Sequence, residues 1–203
     1  MPPRFFARQL SRPAGFFGRI VGRLMNRYNA RMNAFAVRQL DLNPSDRDLE
    51  VGFGGGVTLP SLIKTAAFVA GADLSPLMVG RARARFSKAV ATGRADFREG
   101  AVEALPFEAG SFSKACTSNT IYFWRSLDAG CTELYRVLSP GGRLVIGFLP
   151  KERMDQMSFP DDIFTARAPE EVLAALAKAG FIEARVTRPE DKTPWNVIVA
   201  MHP

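Results

Sequence analysis

A run of glycines directly after a short apolar segment is the feature that most constrains the fold of this chain. Residues 48–57 read DLEVGFGGGV, so Gly52, Gly54 and Gly56 stand close together where a predicted strand ends. Glycines at such a turn let the backbone approach a bound molecule closely, because they carry no Cβ atom. The dinucleotide fingerprint requires a glycine at position 57, where Val57 stands. The spacing therefore predicts a nucleotide loop of another kind.

The rest of the chain alternates between predicted strands and predicted helices. Seven segments have the composition of strands: 47–52, 67–73, 94–99, 111–118, 143–149, 181–188 and 195–201. Helices are predicted between them, most clearly over 77–91, 127–138 and 169–179. In a chain of 203 residues this alternation favours one α/β domain with a doubly wound, mainly parallel sheet. The last two strands lie so close in sequence that we expect an antiparallel hairpin.

An acidic residue stands at the end of the second predicted strand. Asp73 follows Gly56 by 17 residues, and Ser75 with Pro76 then predicts the start of a helix. Ligands of doubly wound sheets bind at the carboxyl ends of the strands. A carboxylate at this edge can accept hydrogen bonds from both hydroxyls of a ribose, so Asp73 is predicted to bind an adenosine.

Four segments, in order, carry a resemblance to a known family: LEVGFGGG (49–56), AGADLSPLM (70–78), EGAVEALPFEAGSF (99–112) and ELYRVLSPGGRLVI (133–146). They resemble the successive motifs of class I S-adenosylmethionine-dependent methyltransferases, of the methyltransferase-11-like type that acts on small molecules and lipids. The resemblance covers roughly residues 46–201. It implies a Rossmann-like, seven-stranded sheet with the last strand antiparallel. It also implies S-adenosyl-L-methionine as cofactor and S-adenosyl-L-homocysteine as product.

The resemblance also implies a set of cofactor-binding residues. Those residues are Glu50, Gly52, Gly54, Gly56, Asp73, Leu74, Met78, Ala101, Val102 and Ser118. Within this set the glycine loop would face the methionine part of the cofactor, and Leu74 and Met78 would pack on adenine. Glu50 would organise the loop or reach the cofactor's amino group through water. Met78 as an ordinary core residue is the alternative.

This chain departs from the family pattern at several positions. Ala101 stands where an aspartate that binds the adenine amine is often found, which leaves the backbone N–H of Val102 or the carboxylate of Glu103 for that contact. Phe53 occupies a place in the glycine loop where a small residue is common. The sequence does not decide whether its ring points into the sheet or toward the cofactor.

The acceptor is expected to bind beside segments 16–40, 118–124 and 150–164, where aromatic residues are frequent. The predicted substrate-binding residues are Tyr28, Asn119, Tyr122, Trp124 and Phe159. Such a site would suit a flat or lipophilic molecule. In the alternative, the same aromatic side chains pack helices onto the sheet.

No catalytic residue is assigned from the sequence. The single histidine, His202, is next to the end of the chain, so a general base would have to be Asp155, Asp161, Asp162 or Tyr122. Positioning alone is sufficient for an acceptor that is already nucleophilic, such as an acidic thiol, an acidic phenol or an amine. Cys116 and Cys131 have no metal-ligand spacing, so we predict no metal and a reducing, cytoplasmic environment.

The basic character of the chain is concentrated in residues 1–40. This segment contains eight arginines and no acid, although the whole chain has a net charge of only +7. Its apolar residues recur at helical spacing, which predicts a basic amphipathic helical cap over 1–40, followed by a methyltransferase domain over 41–203. Contact with an anionic membrane and an organelle transit segment are the alternatives.

The leading functional prediction is an enzyme that methylates a small lipophilic or aromatic acceptor by in-line displacement. One alternative is a membrane-associated phospholipid or quinone methyltransferase, with peripheral membrane contact through residues 1–40. A second alternative is a non-catalytic relative that only binds the cofactor. A nucleic-acid substrate is not expected, because SNTIYF (118–123) after the fourth strand has no resemblance to the NPPY-like tetrapeptide of nucleic-acid methyltransferases.

Overall fold

The structure is a computed structural model that describes residues 29–157, 159–160, 162–190 and 193–203. Tyr28, Asp161 and residues 1–28 of the predicted cap lie outside these ranges. The substrate-binding role of Tyr28 and the boundary of the cap at residue 40 therefore stay predictions.

Seven strands form one sheet: β1 (Arg47–Val51), β2 (Phe68–Asp73), β3 (Ala95–Glu99), β4 (Phe112–Ser118), β5 (Leu138–Phe148), β6 (Ile182–Thr187) and β7 (Asn196–Met201). Their order across the sheet is β3-β2-β1-β4-β5-β7-β6. Strands β1 to β5 are parallel, and β7 is antiparallel to both β5 and β6. The predicted Rossmann-like sheet with an antiparallel last strand is thus confirmed. The strand order reverses beside β1 and β4, where ligands of such sheets bind.

Helices flank the sheet: α1 (29–40), α2 (Leu59–Thr65), α3 (Pro76–Arg85), α4 (Ser87–Ala91), α5 (Leu127–Val137), α6 (Lys151–Met157) and α7 (Pro169–Ala179). Helix α3 begins as predicted, because the Ser75 hydroxyl accepts a hydrogen bond from the N–H of Met78. Helix α7 ends at Gly180, whose φ of 105° lies in the left-handed region. None of the described helices combines the length and the apolarity needed to cross a membrane.

Two of the differences from the sequence prediction concern helices. The helix predicted over 77–91 is divided into α3 and α4 at Phe86, whose ring packs against Phe97 at a centroid distance of 5.9 Å. The short helix α6 is not among the helices named from the sequence. Met154 is its one buried residue, so the apolar periodicity that reveals a helix is too weak there.

Helix α1 belongs to the same hydrophobic core as the sheet. Met32, Phe35 and Leu40 are buried in it. The sulfur of Met32 lies close to Gly147 near the carboxyl end of β5, whereas the carbonyl of Gln39 accepts a hydrogen bond from Arg143 nearer the start of that strand. The helix therefore runs antiparallel to β5 and begins at the carboxyl edge of the sheet.

The ring of Phe53 points into the sheet and supports the glycine loop from below. Phe53 is buried and packs edge-on against Phe97, with ring centroids 5.6 Å apart. The ring also covers Gly71 of β2, where an added Cβ would lie 2.7 Å from Cδ1 of Phe53. The absence of a side chain at Gly71 is what makes room for the large residue in the glycine loop.

A substitution at Gly71 tests this packing. Gly71→Ala should lower the free energy of unfolding by about 1–3 kcal/mol, because the new methyl group overlaps both Phe53 and Phe97. Gly80→Ala is the matched control: this exposed position in α3 has open space for a Cβ, so the substitution should stabilise the protein by about 0.5–1 kcal/mol. Urea unfolding measures both changes, and wild-type stability of Gly71→Ala would contradict the packing described.

Candidate active site

The glycine loop follows β1 at the carboxyl edge of the sheet. Its turn requires left-handed backbone at Gly52, Gly54 and Gly56, with φ values of 70°, 49° and 62°. The N–H of Gly52 donates to the carbonyl of Ala72 at 2.7 Å, which fixes the start of the loop to β2. An added Cβ on Gly54 would meet no atom of the described residues within 4 Å, so within that part of the chain this residue leaves space for a ligand to approach.

Asp73 connects the glycine loop with the start of α3. One carboxylate oxygen accepts a hydrogen bond from the N–H of Gly54 at 2.8 Å, and the other accepts one from the N–H of Ser75 at 2.9 Å. Burial raises the pKa of this carboxyl, while the hydrogen bonds from Ser75 and Gly54 lower it. Each oxygen of a carboxylate can accept a second hydrogen bond. Asp73 therefore retains capacity for a pair of neighbouring hydroxyls.

Glu50 lies at the inner end of the same loop. One of its oxygens accepts a short hydrogen bond from the hydroxyl of Thr58, the residue before α2. Its other oxygen is buried and has no hydrogen-bond partner within the described part of the chain. The pKa of Glu50 is raised to about 7. Burial is the largest cause; the hydrogen bond from Thr58 lowers the pKa, and the nearby charge of Asp73 raises it. Glu50 thus holds the loop to α2 and keeps one oxygen for a donor.

The residues predicted to bind adenine lie along the neighbouring part of the edge. Leu74 is 42% exposed, whereas Met78 and Val102 are buried beside the core. Ala101 forms an isolated bridge with Ala104. The carboxylate of Glu103 accepts hydrogen bonds from the N–H groups of Arg125 and Ser126, at 2.6 and 3.4 Å. Both bonds end on the same oxygen, Oε1, so they hold Glu103 ahead of α5, and its role as a substitute for the missing aspartate stays a prediction.

The loop after β4 lies next to the glycine loop. Ser118 is half-buried at the end of the strand, and Asn119 has a φ of 57°, an uncommon value for a residue with a side chain. The N–H of Asn119 donates to the carbonyl of Gly147 at 2.8 Å. The hydroxyl of Tyr122 accepts from the N–H of Leu149 at 2.5 Å and lies 3.3 Å from the side-chain oxygen of Asn119. Tyr122 therefore joins this loop to the end of β5.

Trp124 is a buried residue of the same loop. Its indole N–H donates to the hydroxyl of Thr120 at 3.1 Å. The ring lies against Gly130 of α5, where an added Cβ would be 2.7 Å from the indole. In this arrangement Trp124 packs α5 onto the loop, so its proposed contact with a substrate stays a prediction.

Aromatic rings form a continuous cluster beside this loop. Phe159 stacks on Phe164 with centroids 4.6 Å apart, and Phe123 packs on Phe164 at 4.8 Å. Tyr122 and Phe164 are buried, whereas Phe123 and Phe159 are half-buried at the rim. The cluster places aromatic rings next to the loop after β4, where they also pack on one another.

The candidate general bases are poorly placed for a protected site. Asp155 and Asp162 are exposed, and Asp155 pairs with Lys151 at 3.2 Å. His202 stacks on Tyr135 with centroids 3.9 Å apart, and its backbone pairs with Gly141 and Gly142 at the opposite edge of the sheet. Among the candidates that the structure describes, Tyr122 alone is buried beside the loop after β4.

Three residues that sequence reasoning missed hold the glycine loop. Thr58 binds Glu50, and Arg85 donates to the carbonyls of Gly55 and Gly56 at 3.4 and 3.2 Å. Thr120 lies directly against Gly52. Thr58 could have been noticed, because a threonine just before a helix start is a recognised signal. The contacts of Arg85 and Thr120 join residues that are far apart in the sequence, so no local pattern predicts them.

The fold and these residues together define a Rossmann-like α/β protein with a glycine loop, a buried carboxylate hydrogen-bonded to that loop and a neighbouring aromatic cluster. Comparisons with known proteins narrow this class. A family model described as a methyltransferase domain matches residues 49–146. YdaC, an uncharacterised methyltransferase of Bacillus subtilis, is 30% identical over 135 residues, which are 66% of this chain and 72% of that protein.

A second relative carries a more specific name. The ubiquinone/menaquinone biosynthesis C-methyltransferase UbiE of a Geobacter species is 35% identical over 140 residues, which are 64% of this chain and 60% of that enzyme. The chain therefore matches less than two thirds of the length of this relative.

Among solved structures, a chain from the complex between the Haloferax volcanii Trm112 methyltransferase activator and a methyltransferase has a TM-score of 0.76 at 20% identity, with 98% of this chain and 97% of that chain covered. This last likeness shows the fold.

The chain belongs to the class I S-adenosylmethionine-dependent methyltransferases. The resemblance of the four sequence segments is thereby confirmed, and so is the prediction of an enzyme. The acceptor of the methyl group is not defined by the family.

The raised pKa of Glu50 predicts a pH-dependent stability. Because the folded protein, with a pKa near 7, binds this proton more tightly than the unfolded chain, with a pKa near 4.5, the contribution to stability is present below pH 4.5 and is lost as the pH rises through 7. Glu50→Gln removes the ionisation, so its stability relative to wild type should increase by up to about 3 kcal/mol between pH 4.5 and 8.

Urea unfolding without cofactor at several pH values measures this difference. Glu108→Gln, at an exposed carboxyl, is the matched control and should follow the wild-type curve. A constant difference between Glu50→Gln and wild type from pH 4.5 to pH 8 would show that Glu50 does not titrate in this range.

Proposed function

We propose that this chain binds S-adenosyl-L-methionine at the glycine loop and transfers its methyl group to a small lipophilic or aromatic acceptor. The observation that supports this most directly is the pair of hydrogen bonds that Asp73 accepts from Gly54 and Ser75. They place a carboxylate with spare acceptor capacity beside a loop of left-handed glycines. A ribose with two hydroxyls and an adjoining amino acid chain has the complementary groups.

The residues present fit the two ends of this cofactor. Asp73 would hold the ribose hydroxyls, and the exposed side chain of Leu74 would cover one face of adenine. Met78, Ala101 and the N–H of Val102 would form the rest of the adenine site. Gly52, Gly54, Gly56 and Ser118 would surround the methionine part. The second oxygen of Glu50 is a buried acceptor with no partner among the described residues, and a positively charged amino group would satisfy it directly or through water.

The chemistry asks little of the protein beyond alignment. A bound sulfonium supplies an activated methyl group, so the protein chiefly holds the acceptor in line with it. The aromatic cluster carries one polar group in the hydroxyl of Tyr122, which lies 3.3 Å from the amide oxygen of Asn119. The described aspartates that were considered as bases are exposed. This arrangement favours an acceptor that is already nucleophilic, such as an acidic thiol, an acidic phenol or a free amine.

A quinone-type acceptor is the second candidate. Two observations favour it: the flat faces of Phe123 and Phe159 at the rim of the aromatic cluster, and the 35% identity to a quinone C-methyltransferase. Helix α1 begins at the carboxyl edge of the sheet, so the chain that precedes residue 29 joins the fold beside the site. That position supports the proposal that residues 1–40 cap the acceptor or bring it from a membrane.

Calorimetry tests the cofactor assignment. Wild-type protein should bind S-adenosyl-L-methionine and S-adenosyl-L-homocysteine. Asp73→Asn should weaken both by about 10–100-fold, because hydrogen bonds to a charged group are lost while the shape is kept. Asp96→Asn, at a carboxylate that pairs with Arg98 within β3, is the matched control and should bind like wild type. Failure of folded wild-type protein to bind either compound would overturn the proposed function.

Transfer of a labelled methyl group tests the acceptor class. The panel contains aryl thiols, phenols, amines and reduced quinones, free and in vesicles of anionic lipid. Phe159→Ala should raise KM for the preferred aromatic acceptor by about 2–10-fold, because one stacked face is lost, and should leave the Kd of the cofactor unchanged. Phe159→Tyr keeps a flat ring and serves as the control. Transfer to aliphatic acceptors alone, with no effect of Phe159→Ala, would contradict the aromatic class.

A further inference from the structure

Thr120 lies directly against the first glycine of the loop after β1. An added Cβ on Gly52 would overlap the γ-methyl of Thr120 and would lie 3.3 Å from its Cβ. The methyl group of Thr120 therefore occupies the place that a side chain at position 52 would take. Gly52 is held on its other side by its hydrogen bond to Ala72. The start of the loop is thus confined between β2 and Thr120.

The orientation of Thr120 is itself determined by two hydrogen bonds. Its hydroxyl forms a short hydrogen bond with the hydroxyl of Thr117 and accepts another from the indole N–H of Trp124. Thr117 is buried in β4 and is the register partner of Val51, the residue before Gly52. Because both partners are fixed by the sheet and by α5, the hydroxyl has one favourable position, and the methyl group is directed at Gly52.

Thr120 also begins the turn that carries the aromatic side of the site. A single helical turn over Ile121–Phe123 follows it directly, and the N–H of Phe123 donates to the carbonyl of Thr120 at 2.8 Å. Tyr122 and Phe123 of this turn belong to the aromatic cluster. One residue therefore contacts the glycine loop with its side chain and the aromatic turn with its backbone.

We propose that Thr120 is a positioning residue that sets the glycine loop relative to the aromatic turn, and so fixes the methyl donor relative to the acceptor. This inference rests on the proposed function, because it assumes that the loop holds the cofactor. Thr120 acts through Gly52. Its hydroxyl is engaged by Thr117 and Trp124, and its methyl group lies on the loop.

A double-mutant cycle between positions 52 and 120 tests the contact, with the Kd of S-adenosyl-L-homocysteine as the readout. Gly52→Ala should raise this Kd by about tenfold or more, because its Cβ displaces the loop from Thr120. Thr120→Ser removes the methyl group, keeps both hydrogen bonds and should raise the Kd by less than about threefold. In the double variant, the serine leaves room for the new Cβ, so at least about threefold of the lost affinity should return.

The chain offers a matched control for the backbone strain at Gly52. Gly93 has the same φ of 70°, but an added Cβ there would meet no atom of the residues that the structure describes within 4 Å. Gly93→Ala therefore reports the strain alone and should leave the Kd unchanged, with or without Thr120→Ser. Effects that simply multiply in the cycle at positions 52 and 120 would overturn the proposal.

A second variant keeps the proposal testable if Gly52→Ala does not fold. Thr120→Val retains the branched shape but removes both hydrogen bonds, so it should raise the Kd by about 3–10-fold in protein that is shown to be folded. A purely structural role would instead lower the midpoint of thermal unfolding and leave the Kd of the folded protein unchanged. Wild-type affinity of Thr120→Val would also overturn the proposal. Failure of the wild-type protein to bind S-adenosyl-L-homocysteine would instead contradict the proposed function and leave the role of Thr120 out of the question.

Discussion

Two backbone N–H groups converge on the carboxylate of Asp73, and the geometry of the site depends on this convergence. One N–H comes from Gly54 in the loop after β1, and the other from Ser75 at the start of α3. The bonds require β1 and β2 to be adjacent and in parallel register, with Val51 beside Ala72. The sheet order thus places one acidic side chain where it can shape a loop that lies 19 residues earlier in the chain. The carboxylate of Asp73 therefore has a structural role in holding the loop, in addition to any role in binding a ligand.

Much of the sheet and part of the site follow from local patterns in the sequence. The alternation of apolar segments predicts all seven strands, and the Ser75–Pro76 pair predicts the start of α3, because these features depend on residues close in sequence. The glycine loop and Asp73 are visible for the same reason: each stands at the end of a predicted strand, and parallel strands bring their carboxyl ends to one edge.

Other features depend on contacts between distant residues and leave no local pattern. Thr120 reaches Gly52 across 68 positions, and Arg85 reaches the carbonyl of Gly56 across 29. The role of Glu103 was open in the sequence, since a carboxylate near a loop can face either a ligand or a neighbouring backbone. In the structure, one oxygen of this carboxylate accepts a hydrogen bond from the N–H of Arg125. Trp124 illustrates the same difficulty, because an aromatic residue beside a site can pack a helix as readily as it binds a substrate.

Phe53 and Gly71 share one volume beneath the loop. The ring at position 53 occupies the space that a side chain at position 71 would need, and Phe97 closes it from β3. The two positions are therefore constrained jointly and cannot vary independently. In related chains with a small residue at the place of Phe53, the partner position on the second strand should hold alanine or a larger residue. The sizes of the side chains at these two positions should therefore covary among related sequences, with a large residue at one position accompanied by a small residue at the other.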